Sequence, residues 1–361
     1  MEYRRCLPLI AGLAIGAGCG GADGSPVSDG VWLEGPRLPA PVANNAVAAV
    51  EGPEGVVVFS FLGMDSTKVW SGVTTAAYRW DVGSEEGWRA IEPVPGPGRL
   101  AAAVQVVGGR IFLIGGYTVG EDGSEHSVPD VNVYDPIMET WSRMADIPLP
   151  VDDAVSGLWR DSLIFLVSGW HDTGNVSDVQ IYDPTEDLWS AGTPIPGAPV
   201  FGHTGAIAGD EIIYVGGAKI VDGRPRFVVD SAAWRGRIDP ANPTKVAWEA
   251  VARPPGSPTY RAAGASFGGF AVFLGGAGNP YNYNGIGYDG APSSPRRQLL
   301  AYDPQGGWIG LLAPPIATMD HRSLGVAGGL VFLAGGMLDG QQVTDRVWYA
   351  KVDTLLAQVI S

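Results

Sequence analysis

The sequence repeats one pattern six times. In each copy an apolar run ends in Gly-Gly or a close equivalent, and the second position of that pair falls at residues 63, 116, 169, 217, 276 and 336. The copies are therefore 53, 53, 48, 59 and 60 residues apart. A recurrence of this length predicts a series of similar structural units, each packed against its neighbours.

The same landmarks follow each glycine pair. A variable loop leads to Tyr-Asp or a variant of it, then to a tryptophan and a proline, and the clearest copy contains RIFLIGGY at 110–117, VNVYDP at 131–136, and Trp141. Apolar runs such as IFLI predict central strands that are covered on both faces. The glycine pair allows another backbone to approach closely.

This pattern resembles the kelch repeat over about residues 31–352. Members of the kelch family fold as β-propellers with one four-stranded antiparallel blade per repeat. The resemblance implies an all-β, six-bladed propeller. Composition agrees with it, because 53 Gly and 29 Pro in 361 residues disfavour a mostly helical protein. A hydrophobic fraction of 45% argues against a disordered chain.

The two ends of the chain are predicted to close the ring. The sixth copy lacks its tryptophan strand, whereas Trp32 lies near the N-terminus with no copy before it. We therefore expect residues 31–34 to form the fourth strand of the last blade. Residues 353–361 are left over and either add an outer strand or lie loose. The tryptophans of the repeat are expected to pack between blades, not to bind ligand.

The N-terminal segment predicts export. Arg4 and Arg5 precede a short apolar stretch at 6–17, which is too short for a stable transmembrane anchor. The sequence GAGC at 16–19 resembles a bacterial lipobox, which implies lipidation of Cys19. The predicted organisation is a signal peptide at 1–18, a flexible tether at 19–30 and the propeller at 31–361. The protein would then be a cell-envelope lipoprotein, held at the membrane only through its lipid, or alternatively secreted.

Topology predicts where a ligand would bind. In a four-stranded antiparallel blade, the segment before the first strand and the loop between strands two and three open on one face, which we call the top face. Function is usually carried by loops on a rigid scaffold. The predicted ligand-binding residues, all on this face, are Asn45, Arg99, Asp153, His171, His203, Tyr260, Arg261, Tyr283, His321 and Arg322.

Alternatives exist for these residues. Arg and His side chains at strand starts also cap loops and bond to carbonyls of adjacent blades. The long fifth loop, GNPYNYNGIGYDGAPSSPRR at 278–297, has the Tyr, Asn and Gly content of an adaptable binding loop, suited to stacking on a sugar ring. The alternative for this loop is a poorly ordered insertion.

Several kinds of chemistry are disfavoured. Some kelch-like enzymes are copper-radical oxidases with a Tyr–Cys cross-link, but the only cysteines are Cys6 and Cys19. The loops lack regularly spaced carboxylates for calcium, and the histidines are not expected to meet at a zinc site. We expect no metal and no cofactor. The formal net charge of −15 disfavours nucleic acid as a partner.

The sequence therefore predicts a monomeric binding scaffold that docks a protein, peptide or glycan on the top face, with no catalytic residue assigned. The alternative is a carbohydrate-active enzyme. Sugar mutarotases or epimerases of the sialate type occur among kelch proteins, and they need an acid, a base and a cation. Asp153 with Arg99 or Arg261 would supply these groups.

Overall fold

The structure is a computed structural model that describes residues 30–256 and 259–357. The predicted signal peptide, the lipidation site Cys19 and the tether up to residue 29 lie outside the described residues. Six four-stranded antiparallel sheets form a ring, in which the first strands of neighbouring sheets contact each other around the central axis. The prediction of a six-bladed β-propeller is confirmed.

In blades 1 to 5 the strands follow one another in chain order from the axis outwards, whereas the outermost strand of blade 6 comes from the N-terminal end of the described chain. They are Ala46–Gly52, Gly55–Phe61, Ala77–Asp81 and Trp88–Ala90 in blade 1; Ala103–Val107, Arg110–Ile114, Val131–Asp135 and Thr140–Arg143 in blade 2; Val155–Trp159, Leu163–Val167, Val179–Asp183 and Leu188–Ala191 in blade 3; Thr204–Ala208, Glu211–Val215, Ala233–Asp239 and Asn242–Ala250 in blade 4; Ala263–Phe267, Phe270–Leu274, Leu299–Asp303 and Gly307–Leu311 in blade 5; Gly325–Ala327, Leu330–Ala334, Val347–Lys351 and Trp32–Glu34 in blade 6.

Shorter elements lie outside the blades. Four two-stranded hairpins follow the glycine pairs, at Tyr117–Val119 with Glu125–Ser127, Trp170–His171 with Gly174–Asn175, Ala218–Ile220 with Phe227–Val229, and Met337–Leu338 with Gln342–Val343. Single 3-10 turns occupy Trp70–Gly72 and Asp339–Gln341, and the one α-helix of the described chain is Val352–Leu356. Its Leu355 is fully buried between blades 5 and 6, so the start of the C-terminal tail neither extends a sheet nor lies loose.

The hydrophobic core consists of layers between adjacent blades. In the second strand of blade 2, Ile111 and Leu113 pack against blade 1, whereas Phe112 and Ile114 pack against blade 3. Both faces of this strand are therefore buried, which explains why its sequence is apolar without alternation.

The ring closes as predicted. Trp32–Glu34 pairs with Val347–Lys351, and Trp32 lies opposite Ala350. In addition, each repeat tryptophan donates its indole N–H to a carbonyl that follows the fourth strand of the preceding blade, at 2.6 to 3.1 Å. The pairs are Trp88 with Pro36, Trp141 with Glu92, Trp189 with Ala145, Trp248 with Thr193, Trp308 with Ala252, and Trp32 with Leu312.

The glycine pairs join each blade to the next. The backbone N–H of the second glycine donates to a carbonyl in the segment that leads into the following blade, at 2.8 to 3.4 Å. The pairs are Gly63 with Arg99, Gly116 with Val151, Gly169 with Val200, Gly217 with Thr259, Gly276 with Thr318, and Gly336 with Val42. The six-fold recurrence of this bond gives the repeat its most constant sequence feature.

Candidate functional site

Six equivalent residues with a left-handed backbone lie where the first strands begin, and we call them the axial ring. Their φ angles fall between 51° and 65°, and they are Asn44, Ala101, Asp153, Gly202, Arg261 and Asp320. Backbone hydrogen bonds connect neighbours, with Gly202 donating to Asp153 and Arg261 to Gly202. All six residues are buried, so the axial ring forms the packed upper end of the central channel.

A network of buried charges fills the axial ring. Arg261 places Nη2 2.6 Å from Oδ2 of Asp153 and Nη1 3.3 Å from Oδ1 of Asp320. Arg322 reaches the same two carboxylates, at 2.5 Å from Asp153 Oδ1 and 3.6 Å from Asp320 Oδ1. Asn44 joins the network by donating to Asp320 and by accepting from Arg322 and from the N–H of Ala101.

The charges of this network balance. Burial would raise the pKa of Asp153, but Arg261 and Arg322 hold that pKa below its usual range. Removing one member of such a network leaves an uncompensated buried charge, at a cost of about 3–5 kcal/mol. Both arginines are already committed to Asp153 and Asp320, so neither is available as a spare cation.

A second layer of residues lies beside the axial ring. In every blade, the residue before the axial position forms a β-bridge with the residue after the glycine pair. The bridged pairs are Ala43 with Met64, Leu100 with Tyr117, Asp152 with Trp170, Phe201 with Ala218, Tyr260 with Ala277, and Met319 with Met337. Asp152 is the one charged residue among these twelve, which makes the blade 3 sector unlike the other five.

A cavity of about 230 Å³ opens in that sector. Blades 2 to 5 all contribute to it, through the hairpins, the second layer and the fifth loop. Its lining includes Tyr117, Glu125, Asp152, Trp170, Phe201, Arg226, Phe227 and Tyr288, together with Asp153, Arg261 and Asn282. We call it the sector-3 pocket.

One wall of the sector-3 pocket is aromatic. The Trp170 ring centroid lies 5.4 Å from that of Phe201 and 5.7 Å from that of Phe227. Tyr288 packs on Phe227 at 4.5 Å. Most of these rings meet in tilted or edge-to-face geometries, which favour a fixed arrangement.

The sector-3 pocket also contains two carboxylates that form no ion pair within the described chain. Oδ2 of Asp152 accepts a 2.6 Å hydrogen bond from the Ser127 hydroxyl, and Oδ1 has no hydrogen-bond partner there. The Glu125 carboxylate likewise has no partner among the residues that the structure describes. Burial raises the pKa of both groups, and the adjacent charge of Asp153 raises the pKa of Asp152 further.

The fifth loop, 278–297, folds across the top face. Tyr281 is fully buried and meets Tyr260 edge-on at 5.0 Å, and the Arg261 guanidinium lies 5.4 Å from the Tyr281 ring. Tyr283 packs beside Leu100 and Tyr117. The loop therefore belongs to the packed structure, and it contributes Tyr288 to the sector-3 pocket.

Five of the predicted ligand-binding residues are buried and bonded within the protein. Arg99 donates to the Gly115 carbonyl and to Asn132, and Asn45 donates to Ser60 and Ala334. His203 bonds to the Val167 carbonyl, and His321 to the Thr318 hydroxyl. Arg322 is held by the charge network described above. All five are bonded within the protein itself, and none of them lines the sector-3 pocket.

Of the other five predicted residues, four lie in or beside the sector-3 pocket. Asp153 and Arg261 line it, and Tyr260 packs edge-on against the Phe201 ring. His171 is half-buried beside it and bonds to the Pro150 carbonyl. Tyr283 lies over blades 1 and 2, away from the pocket lining.

The prediction covers only part of the pocket lining. Glu125, Trp170 and Phe227 line the pocket but are not among the predicted ligand-binding residues, whereas Tyr288 lies in the predicted binding loop and Asp152 is adjacent to the predicted Asp153. The repeat gives no signal for Asp152, because 17 residues before the second glycine the other copies carry Ala46, Arg99, Val200, Thr259 and Met319. Trp170 and Phe227 come from hairpins that differ between copies, so the repeat pattern gives no signal for them.

The described residues contain no group of three or more His, Cys, Asp or Glu side chains placed to hold a metal ion. Within the same residues, no helix has the length and apolar character needed to cross a membrane.

Comparison with known proteins supports the repeat assignment. A family model described as Kelch motif matches residues 98–148. Kelch-like protein terF of Aspergillus terreus (strain NIH 2624 / FGSC A1156) is 29% identical over 151 residues, or 40% of this chain and 31% of the relative. Kelch-like protein 15 of Gallus gallus is 33% identical over 123 residues, or 31% of this chain and 22% of the relative. The matches thus span less than a third of either relative.

A solved structure described as "Structure of YjhT" matches the fold. Its TM-score is 0.68 at 17% sequence identity, over 86% of this chain and 95% of that chain. At this identity the likeness concerns the fold alone. Residues 98–148 include the whole of blade 2. The sequence match and the architecture together identify the protein as a six-bladed β-propeller that contains a kelch motif.

Proposed function

We propose that this protein is a binding scaffold whose top face docks a protein, peptide or glycan, with one group of the ligand inserted in the sector-3 pocket. The observation that supports this most directly is Asp152. Five of the six equivalent positions carry Ala, Leu, Phe, Tyr or Met, which pack without a charge. Burial of a carboxylate costs free energy, so a ligand that pairs with the free Oδ1 of Asp152 offers a reason for its presence.

The aromatic wall supports the same function. Trp170 is only half-buried, and it lies among Phe201, Phe227 and Tyr288 at one side of the cavity. Aromatic rings of this kind supply large contact area at low entropic cost, and they are frequent binding hot spots.

Binding to peptide and glycan arrays tests the proposal, with Trp170→Ala as the pocket variant. Loss of the ring should weaken binding of any array ligand by roughly tenfold or more. Trp70→Ala is the matched control, because Trp70 is a 44% exposed tryptophan outside the pocket lining. Equal binding by the wild type and Trp170→Ala would place the binding surface elsewhere.

A carbohydrate-active enzyme remains the second candidate, and adjacent carboxyls favour it. The pKa of Asp152 is raised by burial, whereas the arginines hold the pKa of Asp153 low. This difference in pKa suits acid–base catalysis, which needs one protonated and one ionised group. NMR measurement of anomeric exchange on a sugar panel tests this activity. The enzyme should exceed the buffer rate and lose this advantage in Asp152→Asn, and exchange at the buffer rate excludes it for those sugars.

We also propose export with a lipid anchor at Cys19, on the basis of the lipobox-like sequence GAGC at 16–19. Labelling of cells with radioactive palmitate should mark the wild type. Cys19→Ala should abolish the label. A labelled Cys19→Ala variant, or an unlabelled wild type that is nevertheless exported, would contradict the anchor.

A further inference from the structure

The sector-3 pocket holds more carboxyl groups than cations that pair with them. Arg261 and its neighbour Arg322 are matched by Asp153 and Asp320. This leaves Asp152 and Glu125, which form no ion pair within the described residues. Arg226 is the remaining cationic residue of the lining. It is exposed, and within the described residues it forms no ion pair with either carboxylate.

The aromatic wall suits a cation as well. The face of an aromatic ring carries negative electrostatic potential and attracts cations within about 6 Å of the ring centroid. Arg226 already uses this property, because its guanidinium carbon lies 5.2 Å from the Phe227 centroid and 6.0 Å from that of Trp170. The wall therefore holds a cation of the chain itself, at the outer side of the pocket.

The size of the pocket limits what enters. Its volume of about 230 Å³ lies below the range of roughly 300–1,000 Å³ that is typical for drug-sized ligands. One short side chain or a small free molecule fits this volume better than an extended ligand does.

We propose that the sector-3 pocket takes an ammonium group on a short alkyl chain, as carried by a lysine side chain or by a free alkylamine. This inference rests on the proposed binding function and names the group that is bound. The ammonium N–H groups would donate to Glu125 and to Oδ1 of Asp152, while the alkyl chain lies against Trp170 and Phe227. An anion would instead meet two carboxylates.

An NMR titration with matched probes tests the charge preference. n-Butylammonium and n-butanol have similar size and shape, and only the first is charged. We expect the charged probe to bind roughly tenfold more tightly than the alcohol. A second pair separates the two sources of the group. Nα-acetyl-lysine methylamide should bind more tightly than n-butylammonium if the natural ligand is a peptide lysine, and more weakly if it is a free amine, and its norleucine analogue serves as the uncharged control.

Two variants are expected to change the affinity for butylammonium in opposite directions. Glu125→Gln should weaken butylammonium binding several-fold and leave butanol binding unchanged. Arg226→Gln should strengthen butylammonium binding, because the guanidinium competes for the same ring faces and repels a second cation. Weaker ammonium binding in Arg226→Gln would overturn the inference, and so would unchanged binding in Glu125→Gln.

The failure of this inference can be distinguished from failure of the proposed function. Equal affinity for butanol and butylammonium overturns cation selectivity but leaves a functional pocket. Absence of any butylammonium binding also overturns the inference. The binding function itself fails only if Trp170→Ala leaves the array ligands unaffected.

Discussion

At the scale of single residues, residue type alone does not decide which side chains line the pocket. Arg99, His203 and His321 are predicted to bind ligand because such side chains commonly do, yet all three are buried and bond to the protein itself. Asp152 stands out only in the structure, whose β-bridges identify its equivalents, because the spacing between these positions and the glycine pairs varies between copies. Glu125 was not predictable either, because its place in the pocket depends on how a hairpin folds over the neighbouring blade.

The buried histidines make stability depend on pH. Burial lowers the pKa of His203 to about 4 and that of His321 to about 3, below the usual value of 6.5. At pH values between the lowered pKa and 6.5, these histidines bind protons in the unfolded chain but not in the folded chain. The stability that is present above pH 6.5 is therefore lost as the pH falls towards 4. For His203 the loss amounts to roughly 3 kcal/mol, because one pKa unit corresponds to about 1.4 kcal/mol.

Urea denaturation at pH 7 and pH 4 measures this effect. His203→Gln retains a side-chain N–H for the Val167 carbonyl but does not titrate. We therefore expect it to lose roughly 2–3 kcal/mol less stability than the wild type over this pH range. His126→Gln serves as control, because His126 is exposed. An equal loss in the wild type and His203→Gln would contradict the prediction.

At the scale of elements, the blades were predictable and the top-face hairpins were not. Apolar runs, glycine pairs and tryptophans recur in every copy because each blade needs the same contacts with its neighbours. The hairpins have strands of only two or three residues, as in Trp170–His171 with Gly174–Asn175. Segments so short carry no periodicity, and their pairing is set by the bridges to the second layer.

The connection between strands requires a glycine at the second position of each pair, and Gly217 shows why. Its φ is +81°, and a Cβ there would lie 2.6 Å from Cβ of His203. The left-handed backbone alone costs a non-glycine residue about 1–2 kcal/mol. Since the collision adds to this, Gly217→Ala should lower the free energy of unfolding by about 3 kcal/mol or more.

Gly209 provides the matched control in the same blade. Its φ is +60°, but a Cβ there would meet nothing within 4 Å. Gly209→Ala should therefore show only the backbone cost of about 1–2 kcal/mol. Urea denaturation of both variants compares the two, and equal losses would show that the close approach to His203 contributes nothing.

At the scale of the whole molecule, the part that repeats is the part that the sequence revealed. Six blades and the closure between the ends follow from landmarks that occur once per copy. The sector-3 pocket breaks the six-fold pattern, since blades 2 to 5 each contribute different residues to it. The residues of the pocket differ between copies, so their proximity becomes visible only in the folded ring, where the blades lie side by side.

Closure of the ring depends on Trp32 more than on any other residue of its strand. Trp32 is fully buried between blades 5 and 6, and its indole N–H donates to the Leu312 carbonyl at 2.7 Å. Trp32→Ala should lower the free energy of unfolding by about 3–5 kcal/mol, as other buried tryptophan truncations do. The adjacent Leu33 is 45% exposed, so Leu33→Ala should change the free energy of unfolding by no more than about 0.5 kcal/mol. Urea denaturation distinguishes the two variants. If both lose the same stability, strand pairing alone closes the ring and the tryptophan contact adds nothing to it.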